Sequence, residues 1–274
     1  MLRPALPFTL PERVVARALP ASYAACLRSD VSVAIDAALA RAQHAAYLAV
    51  LRALVARVDV LATDEACPDA CFIEDTAVLT GAHALATRPG APSRRAEVAP
   101  VAAALASDRS VHPMEAPATL DGGDVLRIGA HLFVGLSSRT NREGVEALAR
   151  VAARDGVEVV AVPMRGGLHL KSACTLASAS LLVYDARLMA DAELAPLLRH
   201  VNGLELLAVS EPAGANVLAL GDAVVVSAAA PATASELRGR GLDVRVVDLS
   251  EIHKGDGALT CLSLRVPGAG GWCT

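Results

Sequence analysis

The residues best suited to chemistry in this chain are one cysteine, one histidine and three carboxylates, each beside an apolar segment. Cys261 stands in "GDGALTCLSLRV", His169 in "GGLHLKS", Asp121 in "LDGGDVL", and Glu74 and Asp75 in "FIEDTAVL". In one pocket, such groups could perform covalent catalysis: the thiolate attacks, the histidine moves a proton and a carboxylate orients the histidine. Several carboxylates beside a nucleophile also favour a cationic substrate, and a guanidinium could pair with them through two hydrogen bonds.

Each of these residues also has an ordinary structural explanation. A buried cysteine is usually a small inert hydrophobe, and an isolated histidine such as His169 is usually a hydrogen-bonded structural residue. Asp121 could cap backbone amides in the tight turn that "LDGGDVL" predicts. Glu74 and Asp75 are harder to explain in this way, because two carboxylates between apolar residues are costly to bury without a cationic partner.

The positions of these residues indicate an internal repeat. Glu74, Asp121 and His169 follow one another at intervals of about 47 residues, and Cys261 lies about two such intervals after His169. Asn216 lies near the position that is skipped, and the sequence gives no reason to assign it a catalytic role. If the repeats close into a ring, equivalent positions converge on the central axis. The repeat therefore predicts that the thiol, the imidazole and the carboxylates meet in one pocket.

The segments around these positions predict a repeating unit of strand, turn, strand, helix and strand. Two short apolar runs around a glycine turn predict hairpins at residues 76–87, 124–135 and 216–227. Apolar residues at three- and four-residue spacing predict helices at 33–57, 94–107, 139–154 and 232–240. Runs of β-branched residues predict strands at 58–62, 157–163 and 243–249. We expect the C-terminal strand to complete the first unit, so that residues 1–274 form one domain.

Composition excludes several classes of protein. The net charge of −4 and the absence of a basic stripe give nucleic-acid binding no electrostatic support. Six cysteines in 274 residues are too few for a disulfide scaffold. The N-terminus lacks the apolar run of a signal peptide, and charges such as Asp222 interrupt every long apolar stretch. We therefore expect a cytoplasmic monomer or homodimer that acts on a small molecule without a metal, a cofactor, a nucleic acid or a membrane.

Six motifs closely resemble those of the dimethylarginine dimethylaminohydrolases. In chain order they are "PDACFIEDTAVL", "RPGAPSRR", "LDGGDVL", "FVGLSSRTN", "GLHLKS" and "KGDGALTCLSL". The resemblance implies the pentein fold, a five-bladed α/β propeller of pseudo-symmetric ββαβ units, which agrees with the repeat. It also implies hydrolysis of Nω-methylated arginines to citrulline, with release of methylamine or dimethylamine.

The resemblance further implies a role for each matching residue. Cys261 would be the nucleophile that attacks the guanidinium carbon, His169 the general acid and base, and Asp121 the carboxylate that supports His169. The positions that match substrate-binding residues are Leu27 in a mobile lid, Asp69 for the ammonium, Glu74 and Asp75 for the guanidinium, Arg94 and Arg139 for the α-carboxylate, and Asp256 as a substrate-side acid. Relatives often carry two adjacent cysteines at the nucleophile, whereas Leu262 follows Cys261 here.

Two other functions stay open. Arginine deiminases, agmatine deiminases and amidinotransferases usually carry an aspartate two residues after the catalytic histidine, where this chain has Lys171. Arg94 and Arg139 favour a substrate with a carboxylate, and so argue against agmatine. A non-catalytic pentein, similar to the ribosome anti-association factor, would need no thiol, imidazole and carboxylates at its axis.

Overall fold

Five three-stranded sheets share one pattern of strand pairing in the computed structural model, which describes residues 10–268. In each sheet, two strands pair antiparallel, and the middle strand then pairs in parallel with a third strand. A helix lies between the two parallel strands in the chain. We call each sheet with its helix a blade. The pattern is the ββαβ unit that the sequence predicts, and it gives a mixed α/β fold.

The helices and strands follow one another in blade order. Blade by blade they are β1 (Arg13–Arg17), α1 (Ala37–Leu54) and β2 (Val58–Leu61) in blade 1; β3 (Ala77–Leu79), β4 (His83–Ala86), α2 (Val98–Leu105) and β5 (Ser110–Pro113) in blade 2; β6 (Val125–Ile128), β7 (His131–Leu136), α3 (Arg142–Ala152) and β8 (Glu158–Pro163) in blade 3; α4 (Leu170–Ala173), β9 (Cys174–Ser178), β10 (Leu181–Asp185), α5 (Asp191–His200) and β11 (Glu205–Val209) in blade 4; β12 (Leu218–Leu220), β13 (Ala223–Ser227), α6 (Pro231–Gly239), β14 (Asp243–Val247) and α7 (Ser250–His253) in blade 5; and β15 (Ser263–Val266).

The last strand returns to the first blade. β15 pairs antiparallel with β1, with Leu264 opposite Val15, while β2 pairs in parallel on the other side of β1. Both Val15 and Leu264 are buried. The prediction that the C-terminal strand completes the first unit is therefore confirmed, and the two ends of the chain are joined in one blade.

A short helical turn precedes one hairpin strand in every blade. The five turns are Ile73–Thr76, Gly122–Asp124, Leu170–Ala173 (α4), Pro212–Ala215 and Thr260–Leu262. The turn of blade 2 contacts those of blades 1 and 3, and α4 contacts those of blades 3 and 5. Two hydrogen bonds between Asn216, which ends the turn of blade 5, and Thr260 join the remaining neighbours. The five turns therefore form a closed ring; Glu74 and Cys261 lie within them, and Asp121 and His169 immediately precede theirs.

The apolar core lies largely at the junctions between neighbouring blades. Val78 and Leu85 of blade 2, for example, share one cluster with Val125, Val134 and Leu148 of blade 3. Leu148 belongs to α3, whose apolar residues recur on one face and whose first turn is capped by Asn141, which accepts the Gly144 N–H at 2.8 Å. Packing between blades, rather than within one blade, thus holds the ring of turns in place.

The helix predicted at 33–57 begins at Ala37, because Asp36 caps it. Two further predicted helices also differ from the structure at their N-terminal ends. Residues 94–107 were expected to be one helix, but a 3-10 helix covers Pro92–Glu97 and α2 begins at Val98. In the predicted helix at 139–154, α3 begins at Arg142 because Asn141 caps it, so Arg139 lies in the preceding loop. Both differences leave a cavity-facing arginine outside the α-helix. Within residues 10–268, no helix has the length and apolar character needed to cross a membrane.

Candidate active site

One cavity contains most of the side chains that the sequence singles out. Eight of the ten candidate residues line it, and Asp121 and Glu74 lie outside its lining. The lining consists of Leu27, Asp69, Phe72, Asp75, Arg94, Arg139, Leu168, His169, Gly255, Asp256, Gly257 and Cys261. The fold therefore brings the thiol, the imidazole and one carboxylate, Asp75, into one small space, whereas the repeat also predicts Glu74 and Asp121 in that pocket.

His169 is held by two buried carboxylates from neighbouring blades. Its Nε2 atom lies 3.0 Å from Asp121 Oδ2 and 3.9 Å from Asp75 Oδ1. Asp121 is fully buried, and its other oxygen accepts the Gly90 N–H at 2.9 Å. Asp121 thus has the position needed to orient the imidazole and to stabilise its cationic form.

These contacts favour the charged forms of both His169 and Asp75. Burial alone would lower the pKa of His169, but the Asp75 carboxylate and the hydrogen bond that His169 donates to Asp121 raise it to about 9. Burial alone would likewise raise the pKa of Asp75, but the charges of His169 and Arg94 lower it to about 2. At neutral pH the site therefore holds an imidazolium beside an ionised carboxylate.

Cys261 lies across the same cavity in its neutral form. The residue is half-buried, and burial together with the Glu74 and Asp75 carboxylates raises the pKa of its thiol to about 12. A nucleophilic thiolate therefore forms only when positive charge approaches. A cationic guanidinium in the cavity supplies such a charge, so the site is suited to attack on a cation.

Two glycines allow this packing, and the sequence interpretation assigned them only to a tight turn. A Cβ atom at Gly123 would lie 2.6 Å from His169 Nδ1 and 2.9 Å from Asp75 Oδ1. A Cβ atom at Gly122 would lie 2.0 Å from the Glu74 carbonyl oxygen. The Gly123 N–H also donates to Asp75 Oδ1 at 2.9 Å. The two glycines in "LDGGDVL" therefore let blades 2 and 4 pack closely against blade 3 at the site.

The substitution Gly123→Ala is expected to lower kcat by about 10- to 100-fold, because its methyl group displaces the His169 ring. A steady-state activity assay of the folded variant measures this loss. Gly239→Ala is the matched control, since a Cβ there meets nothing within 4 Å and the residue ends α6. An unchanged kcat in Gly123→Ala would contradict the close packing of His169.

Asp124 is a second buried carboxylate whose importance the sequence interpretation did not identify. Its Oδ1 accepts the Leu170 N–H at 2.9 Å, and its Oδ2 accepts the hydroxyls of Ser137 and Thr140, both at 2.6 Å. Thr140 Oγ1 in turn accepts the Asp121 N–H at 3.2 Å. Asp124 thus fixes the backbone next to both His169 and Asp121. The feature of the sequence that could have indicated this role is the second acid in "LDGGDVL", a motif that predicts a tight turn.

Glu74 does not face the cavity with Asp75. Its Oε1 accepts a hydrogen bond from Lys171 Nζ at 2.5 Å, and its Oε2 accepts one from the Thr260 hydroxyl at 2.8 Å. Both Glu74 and Lys171 are buried. Its binding to a guanidinium remains a prediction, and Asp75 is the carboxylate of this pair that lines the cavity.

Arg94 is engaged by protein groups on all three of its nitrogens. Nη1 donates to Asp75 Oδ2 at 2.5 Å, Nε and Nη2 donate to Glu97, and Nη2 also donates to the Phe72 carbonyl at 2.9 Å. Burial raises the pKa of Glu97 to about 7 against the opposing charge of Arg94. Glu97 was absent from the predicted site, although its position three residues after a buried arginine was a usable signal.

Three further lining residues, Asp69, Arg139 and Asp256, carry charges suited to an amino acid. Arg139 is partly exposed, with Nη1 3.7 Å from Asp121 Oδ2. Both oxygens of Asp69 accept the Leu27 N–H, at 3.1 and 3.2 Å. Asp256 accepts hydrogen bonds from the Ser29 hydroxyl at 2.8 Å and the Ser29 N–H at 2.5 Å. Leu27 and Ser29 are exposed, so Asp69 and Asp256 hold an exposed loop over the cavity.

Among residues 10–268, one group of side chains has the geometry of a metal site. The ligand atoms of Asp75, Asp121 and His169 all lie within 4.8 Å of one another. These atoms already bind protein partners, since Asp75 pairs with Arg94 and His169 with Asp121. The expectation that the protein uses no metal stays a prediction.

Known proteins share both this sequence and this fold. A family model described as "Arginine deiminase" matches residues 98–205. The N(G),N(G)-dimethylarginine dimethylaminohydrolase of Streptomyces coelicolor is 41% identical over 236 residues, which cover 85% of this chain and 88% of that protein. A cysteine-to-serine variant of the Pseudomonas aeruginosa dimethylarginine dimethylaminohydrolase, solved with citrulline, is 30% identical with a TM-score of 0.86 over 93% of this chain and 99% of the other. A histidine-to-glycine variant of a dimethylarginine dimethylaminohydrolase, solved as an adduct with S-methyl-L-thiocitrulline, is 28% identical with a TM-score of 0.86 over 93% of this chain and all of the other.

The five-bladed α/β fold and these relatives define a pentein enzyme that hydrolyses C–N bonds of amidino groups. The identity of 41% over most of both chains then shows to which family within this class the chain belongs. The chain belongs to the dimethylarginine dimethylaminohydrolase family.

Proposed function

We propose that this enzyme hydrolyses Nω-methylated L-arginines to L-citrulline and releases dimethylamine or methylamine. The observation that carries the proposal is one cavity lined both by Cys261, His169 and Asp75 and by charged groups suited to an amino acid, Asp69, Arg139 and Asp256. Two solved relatives support it, since one holds citrulline and the other is an adduct with S-methyl-L-thiocitrulline.

The first step forms a covalent bond to Cys261. The positive charges of the bound guanidinium and of the His169 imidazolium stabilise the thiolate, whose proton passes to solvent. The sulfur then attacks the guanidinium carbon and forms a tetrahedral adduct. His169 donates its proton to the methylated nitrogen, and the C–N bond breaks with departure of the amine. A thiouronium remains on Cys261.

The second step releases citrulline. His169, now neutral, accepts a proton from a water molecule that attacks the thiouronium carbon. Collapse of the new tetrahedral adduct breaks the C–S bond and forms the urea group of citrulline, while the remaining hydroxyl proton passes to the departing sulfur and restores the Cys261 thiol. Asp121 keeps the imidazole in place through both proton transfers, because it bonds Nε2 from a fully buried position.

The remaining cavity residues are proposed to bind the substrate. Asp75 faces the guanidinium, and Arg94 helps to position Asp75 as well as to attract the α-carboxylate. Arg139 is more exposed than Arg94 and is the better placed of the two for the α-carboxylate. Asp69 binds the α-ammonium, and burial raises the pKa of this carboxyl until a cation enters. Leu27 and Asp256 close the loop over the bound amino acid.

Every blade contributes to this site or to its supporting ring, so we propose that residues 1–274 act as one catalytic domain. Residues 1–9 and 269–274 lie outside the described part of the chain, so the prediction that the N-terminus lacks a signal peptide also falls there. The five cysteines within residues 10–268 are free thiols, which suits a reducing compartment and supports the cytoplasm as the proposed location. The choice between monomer and homodimer stays a prediction.

Methylated arginines are expected to give kcat/KM values at least tenfold above that of free arginine, and agmatine the lowest value. Lys171 binds Glu74 away from the cavity, so no second carboxylate needs the N–H donors that methylation removes; leaving one unpaired would cost about 1–3 kcal/mol. Agmatine lacks the carboxylate for Arg139. Citrulline or ammonia assays with asymmetric dimethylarginine, monomethylarginine, arginine and agmatine measure the order. A best rate with arginine or agmatine would replace this function with a deiminase.

A further inference from the structure

A second network of buried polar side chains lies directly behind Cys261. Lys171 Nζ donates to Glu74 Oε1 at 2.5 Å, and the Thr260 hydroxyl donates to Glu74 Oε2 at 2.8 Å. Asn216 Nδ2 donates to the Lys171 carbonyl at 2.9 Å and to Thr260 Oγ1 at 3.0 Å. Asn216 Oδ1 also accepts the Thr260 N–H at 3.1 Å. Four blades are thus joined at the axis, each through one residue.

These four residues are at most 6% exposed, and none of them lines the cavity. The substrate pocket therefore has no direct use for them. A buried ion pair contributes little net stability, because the desolvation of both charges offsets their attraction. Their position suggests another role, since Thr260 immediately precedes Cys261 in the same helical turn.

We propose that Lys171 and Glu74 act on the nucleophile rather than on the substrate: as a balanced charge pair they set the electrostatic field behind Cys261, while Asn216 and Thr260 fix the backbone from which its thiol projects. The proposal rests on the proposed function only in taking Cys261 as the nucleophile. Lys171, Glu74, Thr260 and Asn216 are then positioning residues, which act through Cys261.

The charges around Cys261 make the two members of the pair act in opposite directions. Glu74 and Asp75 both disfavour the thiolate, whereas Lys171 favours it. The other titratable or charged groups near Cys261 are His169, Asp69, Asp256, Arg94 and Arg139 in the cavity, Tyr23 and Tyr47 in the packed core, and Arg265, which faces Glu74. Substitutions in the pair leave all of these groups unchanged. Any shift that results can therefore be assigned to Lys171 or Glu74.

The test measures the rate of Cys261 alkylation by iodoacetamide against pH, with the labelled peptide identified by mass spectrometry. Lys171→Met removes the favourable charge and is expected to slow alkylation at a fixed pH by about tenfold. Glu74→Gln removes the unfavourable charge and is expected to speed alkylation by about tenfold. The double variant lacks both charges and should return close to the wild-type rate.

A purely structural pair would behave differently. Both single variants would then change alkylation in the same direction, or leave its pH dependence unchanged while the thermal midpoint falls. A Glu74→Gln variant with a raised KM for methylarginine and unaltered alkylation would instead make Glu74 a substrate ligand. Either result would overturn the proposal. Lys171→Arg, which keeps the cation, and the uncharged double variant provide folded proteins if a single variant is unstable.

This experiment is separable from the proposed function. Alkylation requires only the thiol and no turnover, so opposite shifts in the two single variants would stand even if methylarginines were not hydrolysed. Conversely, good hydrolysis with identical alkylation profiles would support the function and overturn the role of the Lys171–Glu74 pair.

Discussion

Replacement of Cys261 by serine is expected to abolish citrulline formation while the fold survives. A hydroxyl is nearly isosteric with the thiol but a far weaker nucleophile, because it forms the anion much less readily. The residue is half-buried at the cavity, so the substitution creates no large void in the core. We expect a loss on the order of 10³-fold or more in kcat. A citrulline assay with asymmetric dimethylarginine, on protein whose circular dichroism matches wild type, measures it.

Cys174→Ser is the matched control for that experiment. Cys174 is buried at the start of β9 and does not line the cavity. This substitution can reduce stability by burying a hydroxyl, yet kcat/KM should stay close to the wild-type value. The Cys261→Ser protein should still be stabilised against heat by citrulline, because a ligand that binds only the folded state raises its stability. Substantial citrulline production by folded Cys261→Ser would remove Cys261 from the role of nucleophile.

The spacing of chemically capable residues predicted the architecture well for a physical reason. In a closed ring of similar units, equivalent positions must lie at the axis, so a repeat in the sequence fixes which turns meet. Asp121, His169 and Cys261 therefore came together although they belong to three blades. The return of β15 to β1 follows from the same argument, because an incomplete first unit leaves a strand position open.

The sequence could not predict which partners the charged side chains choose. Spacing assigns a residue to a turn, but the direction of its side chain depends on neighbours from other blades. Glu74 and Asp75 are adjacent, yet Glu74 pairs with Lys171 and Asp75 pairs with Arg94. The close approach at Gly123 likewise depends on His169, which lies one unit further along the chain.

The reactivity of the Cys261 thiol could likewise be predicted only with the structure. An activated cysteine beside a histidine is often expected to react quickly at neutral pH. Here the Asp75 carboxylate raises the pKa of both His169 and Cys261. The free enzyme therefore keeps the proton on sulfur and the charge on the imidazole, and a cationic substrate is needed to change this. Residue spacing alone does not show which of these two groups carries the charge.

His169→Ala is expected to reduce kcat by about 10²–10⁴-fold, because the amine then departs without a proton donor. It should also change the pH dependence. In the wild-type enzyme, the pair of His169 and Cys261 loses its first proton near the His169 pKa of about 9. Because the reactive form of the pair, a thiolate beside an imidazolium, has lost one proton, kcat/KM should rise with pH up to about that value. In His169→Ala that inflection disappears, and the rise moves upward toward the Cys261 pKa of about 12. Steady-state rates of citrulline formation between pH 6 and about 10 measure both effects.

Stability gives a second, independent check on the same substitution. The pKa of His169 is raised from its ordinary value of 6.5 to about 9, so its pairing with Asp75 and Asp121 stabilises the fold fully below pH 6.5. That advantage of wild type over His169→Ala should decrease as pH rises through about 9, as followed by urea unfolding at each pH. Asp121→Asn is the graded comparison, with a smaller loss of kcat because an amide can still orient the ring. Near-normal rates in His169→Ala, with a stability difference that does not depend on pH, would make His169 an uncharged structural residue and leave the proton transfers without a donor.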